Sequence, residues 1–157
     1  MRRRSVLAGL AAASPWALGA AAYPGRTVRL VVPYSVGVGP DIVARSLAEP
    51  LAAEWGQPVL VDNRPGASGI VAFGEVRRTP PDGHTIFLAD TATLCVNPLL
   101  HRSLPYDPQH DLVPLTLLFH ATFVLWVGAG NRLRSMADLL QAARQAPGQV
   151  SYATLGN

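Results

Sequence analysis

Few side chains in this sequence are spaced for bond-making chemistry. Ser68 sits in Gly66-Ala67-Ser68-Gly69, but Ile70 stands where a nucleophile elbow needs its second Gly, so Ser68 reads as a turn or helix cap. His84, His101, His110 and His120 share no ligand spacing, and no Glu lies three or four residues from any of them on a helical pattern. No metal, cofactor or catalytic residue is therefore expected. Cys95 is the single cysteine, which rules out an internal disulfide and reads as a small buried apolar residue. The stretch that does offer chemistry is Tyr34-Ser35-Val36-Gly37-Val38-Gly39-Pro40-Asp41. It follows a short apolar run and leads into a helical pattern, with Pro40 at a first helical position and Asp41 in the first turn. A strand, a loop and a helix N-terminus in that order bring free backbone N–H groups and the positive end of a helix dipole to one spot. Such a spot attracts an anion, either phosphate or carboxylate.

Asp41 has two readings. An acid in the first turn stabilises a helix by roughly 0.3–1 kcal/mol with no ligand involved; alternatively its side chain locks the loop by accepting from its N–H groups. Gly37-Val38-Gly39 with Asp62 after the next strand also suggests a dinucleotide fingerprint. The third Gly of that motif falls on Ile42, and Tyr34, Ser35 and Val36 make the turn too loose, so a nucleotide-binding oxidoreductase ranks behind.

The elements that must position this loop come from the pattern along the chain. Residues 27–32 and 58–61 and residues 85–89 read as strands; 40–55 and 70–78 read as helices between them. Val43, Leu47, Leu51 and Trp55, flanked by Ala44, Ala48 and Ala52, make one apolar stripe, with Pro50 expected to kink it and Gly56 to end it. The order β-α-β-α-β with short links predicts a parallel α/β sheet with right-handed crossovers. Residues 91–94 then fall at the C-terminal end of the third strand, where ligands gather in such sheets. Residues 97–111 read as an irregular excursion, 115–118 and 122–127 as strands, 135–145 as an amphipathic helix capped by Ser135, and 150–153 as a last strand. A strand running into Gly156-Asn157 ought to feed another helix, so the sequence reads as stopping within a domain.

The ends carry their own signals. The chain has 157 residues, no Lys and 13 Arg. Arg2, Arg3 and Arg4 precede an uncharged, Ala- and Leu-rich stretch ending in Ala20-Ala21-Ala22, which is the layout of a secretory signal peptide over residues 1–22. Gly9, Ser14, Pro15 and Gly19 make that stretch a poor membrane span. Sec and twin-arginine export both fit. Setting those three Arg aside leaves ten against ten acidic residues, so the mature chain is neutral and no nucleic-acid partner is implied.

Several stretches together resemble the Bug family of extracytoplasmic solute receptors, the binding components related to tripartite tricarboxylate transporters. They are Tyr23-Pro24 with Val28-Arg29-Leu30-Val31-Val32-Pro33-Tyr34, Asp41-Ile42-Val43-Ala44-Arg45, Gly56-Gln57-Pro58-Val59-Leu60-Val61-Asp62-Asn63-Arg64-Pro65-Gly66-Ala67, and Pro81-Asp82-Gly83-His84-Thr85. Asn97-Pro98, Leu104-Pro105-Tyr106-Asp107-Pro108 and Pro147-Gly148-Gln149-Val150-Ser151-Tyr152-Ala153 continue the likeness. The resemblance implies an α/β, periplasmic-binding-protein type II-like fold. It places a parallel-sheet first lobe at 23–118, a hinge strand at 119–127 and the start of an incomplete second lobe at 128–157, since members are roughly twice this length. It further implies a periplasmic receptor without catalysis or cofactor, holding a small carboxylate for an inner-membrane tripartite tricarboxylate permease. A non-functional fragment of such a receptor is the alternative.

By the same resemblance the ligand loop maps onto Tyr34, Ser35, Val36, Gly37, Val38, Gly39 and Asp41. A second wall maps onto Thr91, Ala92 and Thr93, and a third onto Thr154, Gly156 and Asn157. The family loop typically reads Pro-Phe-x-x-Gly-Gly-x-x-Asp; here Tyr34 takes the Phe position, Val38 replaces the second Gly, and Pro40 takes a place often held by Ser or Thr. If position 38 needs φ > 0, Val is strained there.

Overall fold

The computed structural model of this protein describes residues 22–154. Residues 1–21 of the expected signal peptide, and Gly156 and Asn157 of the expected third wall, lie outside the described residues. The centre is a three-stranded parallel sheet of order β2-β1-β3, with β1 at Val28–Val32, β2 at Val59–Asn63 and β3 at Thr85–Phe87. Strand β1 lies between the other two, pairing Val28 with Val59 and Val31 with Phe87, and four of its five residues are buried. A near-continuous apolar run suits that doubly covered position.

Helix α1, Gly39–Trp55, packs on one face. Its Ala48 joins Val28, Leu30 and Val59, with Leu51, Ala52 and Trp55 at the margin. Ala44 sits on Val32 and Leu88 nearer the strand ends. The small Ala residues let the helix approach the sheet closely, and each fully buried Val or Leu contributes about 1.5–3 kcal/mol. The helix runs through Pro50 and ends at Gly56, whose φ of 62° is left-handed. On the other face, Phe73 of α2 (Ile70–Arg77) stacks on Tyr106 at 4.1 Å and meets Phe87 edge-on at 5.8 Å.

Beyond β3 the chain turns through a π-helical segment, Ala92–Val96, into a short helix α3, Asn97–Leu100. The start of the stretch expected to be irregular is therefore helical. Helix α4, Met136–Gln145, opens on a capping box: Ser135 accepts from the Asp138 amide, and the Asp138 side chain accepts from the Ser135 amide. Three strand expectations are overturned. Residues 115–118, 122–127 and 150–153 join no sheet, and Phe123 and Trp126 are 94% and 85% exposed. An apolar run supplies strand propensity but does not itself bring a partner strand alongside, and among the described residues these runs pair with neither outer strand of the sheet. Cys95 is exposed on the π-helical segment rather than buried. Among the described residues no helix is long and apolar enough to cross a membrane.

Candidate functional site

Because all three strands are parallel, the connections after β1, β2 and β3 emerge at one end of the sheet. The connection after β1 is fastened by Asp41. This carboxylate is 1% exposed and accepts three hydrogen bonds. Gly37 N donates to Oδ2 at 2.8 Å, Arg45 Nε donates to Oδ2 at 3.0 Å, and Asn63 Nδ2 donates to Oδ1 at 2.9 Å. The Arg45 bond first, then those from Gly37 and Asn63, hold its carboxyl down at about 2, against the opposing pull of burial. Of the two readings of Asp41, the loop-locking contact is thus present. Asn63 Nδ2 also donates to the Tyr34 carbonyl at 3.0 Å, tying the end of β2 to the same loop.

Gly37 has φ 87°, so the left-handed residue of the loop is a glycine. Val38, the residue before α1, has φ −85° and ψ 163°. The strain considered for Val38 is therefore absent, because the positive-φ position falls one residue earlier. With the Gly37 amide consumed by Asp41, no hydrogen bond within the described residues engages the amides of Ser35, Val36, Val38 and Gly39. No side chain caps the helix. Ser35, Val36 and Gly39 are exposed and Val38 is half-buried.

The connection after β3 is organised by Asp90. Tyr34 Oη donates to Asp90 Oδ2, while Oδ1 accepts from both the amide and the hydroxyl of Thr93 at 2.7 Å each. Burial, and then the Asp90 carboxylate, push the Tyr34 phenol up to about 12. Thr93 is fully buried, and its carbonyl accepts from Tyr106 Oη at 2.8 Å. Asn97 Nδ2 donates to the Ser68 carbonyl at 2.9 Å, which draws in the connection after β2. There Gly66, Ala67, Ser68 and Gly69 all have positive φ. Gly69 is needed twice over: its φ is 87°, and a Cβ there would lie 2.5 Å from Thr93 Oγ1.

The structure thus brings the expected first and second walls together, with different roles for their members. Tyr34, Asp41 and Thr93 are spent on internal bonds, Thr91 is exposed and Ala92 half-buried. Thr154 is exposed, and the rest of the third wall is not described. Asn63, Asp90, Asn97 and Tyr106 are site residues that motif spacing alone misses, although Asn63, Asn97 and Tyr106 fall inside stretches that carry the family resemblance. Asp90, by contrast, carries no sequence signal beyond its place after β3. Two open surface depressions lie elsewhere, one beside Tyr23, Arg26, Asp82 and His84, the other beside Arg77, Tyr106 and Asp111. Neither is lined by the loops that follow β1, β2 and β3. Among the described residues no group of His, Cys, Asp and Glu is arranged to hold a metal.

A loop of unengaged amides at a helix start, braced from two neighbouring loops, offers hydrogen-bond donors to an anion. The UPF0065 protein in the tcbD-tcbE intergenic region of Pseudomonas sp. (strain P51) is 39% identical over 98% of this chain and 47% of its own length. The chain spans about half the length of the relatives it matches. Among solved structures, R. palustris Rpa4515 with adipate is 35% identical with a TM-score of 0.76, over 82% of this chain and 43% of that one. MatC (Rpa3494) from Rhodopseudomonas palustris with bound malate is 38% identical with a TM-score of 0.57, over 61% and 33%. The periplasmic binding protein BugD is 40% identical with a TM-score of 0.52, over 57% and 29%. These likenesses bear out the α/β fold of periplasmic binding proteins and the Bug resemblance. With residues 43–157 matching the tripartite tricarboxylate transporter family receptor model, the chain belongs to that family of solute receptors.

Proposed function

We propose that this protein captures a small organic carboxylate in the periplasm and delivers it to an inner-membrane tripartite tricarboxylate permease, without catalysing a reaction. The observation that carries this reading is the Asp41 lock. It consumes the Gly37 amide and fixes the loop, while the amides of Ser35, Val36, Val38 and Gly39 stay unengaged at the start of a 17-residue helix. Each charge-assisted hydrogen bond from such a donor to a desolvated carboxylate contributes about 1.5–3 kcal/mol. Pro40 has no N–H to add, and no Arg or Lys lies within the loop, so backbone donors supply the affinity. The adipate and malate of the two R. palustris proteins support the ligand class.

In this reading Ser35, Val36, Val38 and Gly39, with Thr91 and Ala92 opposite, face the ligand. Tyr34, Gly37, Asp41 and Thr93 hold them in place. Thr154, Gly156 and Asn157 form the third wall. Residues 23–118 make the first lobe, 119–127 the hinge and 128–157 the start of the second lobe, after export directed by residues 1–22. Calorimetry with adipate, malate and citrate, and with NAD as a contrasting anion, tests the proposal. Saturable heat from the carboxylates and none from NAD is expected; binding of NAD alone would return the nucleotide reading.

A further inference from the structure

Two carboxylates stand at the candidate site, and they differ in how their charge is met. Asp41 is paired with Arg45 at 3.0 Å. Asp90 is held by neutral groups only, the Tyr34 hydroxyl and the amide and hydroxyl of Thr93, and among the described residues no cation lies within ion-pair distance of it. Its position is central, because Tyr34 belongs to the anion loop and Thr93 to the facing wall. A carboxylate with no cation beside a site for anions is electrostatically unfavourable for a second negative charge, and favourable for a positive one.

We infer that Asp90 is a specificity-determining residue, which makes this site prefer a carboxylate that also carries an ammonium group over a dianion of the same length. The inference rests on the carboxylate-capture reading above and deepens it. The ligand carboxylate sits on the backbone amides of the loop after β1. Its ammonium group faces the end of β3, where Asp90 Oδ2 has a lone pair beyond the one used by Tyr34. Tyr34 acts through Asp90 as a positioning residue. With Phe, as in the typical family loop, this contact between the two walls would be missing.

The test is calorimetry on the full chain with two matched pairs, aspartate against succinate and glutamate against glutarate. Each pair differs by the ammonium group on one carbon skeleton. The amino acid is expected to bind about tenfold tighter than its partner, the scale of one charge–charge term near a protein surface. Asp90→Asn keeps the shape and one acceptor but removes the charge, and should bring the ratio to about twofold or less. Tyr34→Phe keeps the charge but releases Asp90 Oδ2, and should bring the ratio between that of the unaltered chain and that of Asp90→Asn. If a variant folds less completely, both affinities of a pair fall by the same factor, so the ratio still reports the charge. Tight dicarboxylate binding with a ratio near one, or a ratio unmoved by Asp90→Asn, overturns the inference and leaves carboxylate capture standing. Absence of binding to all four overturns both.

Discussion

The Gly37 amide lies 2.8 Å from the Asp41 carboxylate, so the loop after β1 closes on the first turn of the helix it feeds. A glycine at φ 87° permits the turn, and the buried acid fixes it. Asn63 extends the same closure to the end of β2 by bonding both Asp41 and the Tyr34 carbonyl. The amides left over for a ligand are therefore set by the bonds that Asp41 has already taken.

Asp41 gives the protein an acid-sensitive joint. Its folded value of about 2 lies below the ordinary carboxylate range near 4. Its stabilising contribution is thus complete above about pH 4 and is lost as pH falls through the folded value. Asp82, also held near 2, by the His84 amide and then by Arg26, titrates in the same window. Asp41→Asn should flatten part of the acid limb of a stability-versus-pH curve. It should also lower the melting temperature at pH 7 by several degrees, because an amide offers one acceptor oxygen where three donors converge. An unchanged acid limb in denaturant titrations would show that Asp41 is not the group responsible.

Gly37 and Val38 should respond in opposite ways to what the loop sequence suggests. Gly37→Ala meets no atom within 4 Å but imposes a left-handed conformation on a Cβ, costing about 1–2 kcal/mol. Val38→Gly relieves no strain, since φ is −85°, and should destabilise the loop by up to about 1 kcal/mol through added freedom of the unfolded chain. Chemical denaturation of both variants measures the two costs.

How far the sequence reveals this molecule differs by element. The β-α-β-α-β order, the Ser135 cap and the helix stop at Gly56 were legible, because local periodicity and cap chemistry determine them. The position of positive φ was not. Gly37 and Val38 both stand in the aligned loop, and only the Asp41 bond shows which one bends. The runs at 115–118 and 122–127 misled for a different reason: apolar spacing encodes a wish to be buried, while pairing requires a neighbouring edge. Asp90 was invisible because its role depends on Tyr34, 56 residues away in sequence.

Tyr34 should titrate unlike an ordinary phenol. With its value raised to about 12, first by burial and then by Asp90, it stays protonated through the range where a free tyrosine ionises near 10. The neutral form favours the folded state below pH 10, and that contribution fades as pH rises through 12. In ultraviolet difference titration, Tyr34→Phe should remove the latest-ionising phenol, and Asp90→Asn should move it to lower pH. A wild-type titration complete by pH 10.5 would contradict the contact.

The exposed apolar segment gives a spectroscopic expectation. Trp126 is 85% exposed while Trp55 is half-buried against the sheet. The emission lost on Trp126→Phe should therefore be red-shifted and readily quenched by acrylamide. A blue-shifted, protected component would mean that 122–127 is covered in solution, as a patch of this kind tends to be when it finds a partner.

Gly69 is the tightest point of the site. A Cβ there would lie 2.5 Å from Thr93 Oγ1 and 3.4 Å from the Pro33 ring. Thr93 cannot swing away, because it is fully buried and held to Asp90 by two bonds of 2.7 Å. Gly69→Ala therefore combines left-handed strain of about 1–2 kcal/mol with overpacking of about 1–3 kcal/mol. Gly56→Ala, at φ 62° with nothing within 4 Å, carries the strain alone and serves as the control. The difference between the two isolates the steric term. Thr93→Ala removes the clashing hydroxyl and loses its Asp90 bond, so it destabilises by itself. In the double variant the clash is gone, and Gly69→Ala should cost no more than it does at Gly56. Additive losses in that cycle would show that the loops after β2 and β3 are not in contact at Gly69.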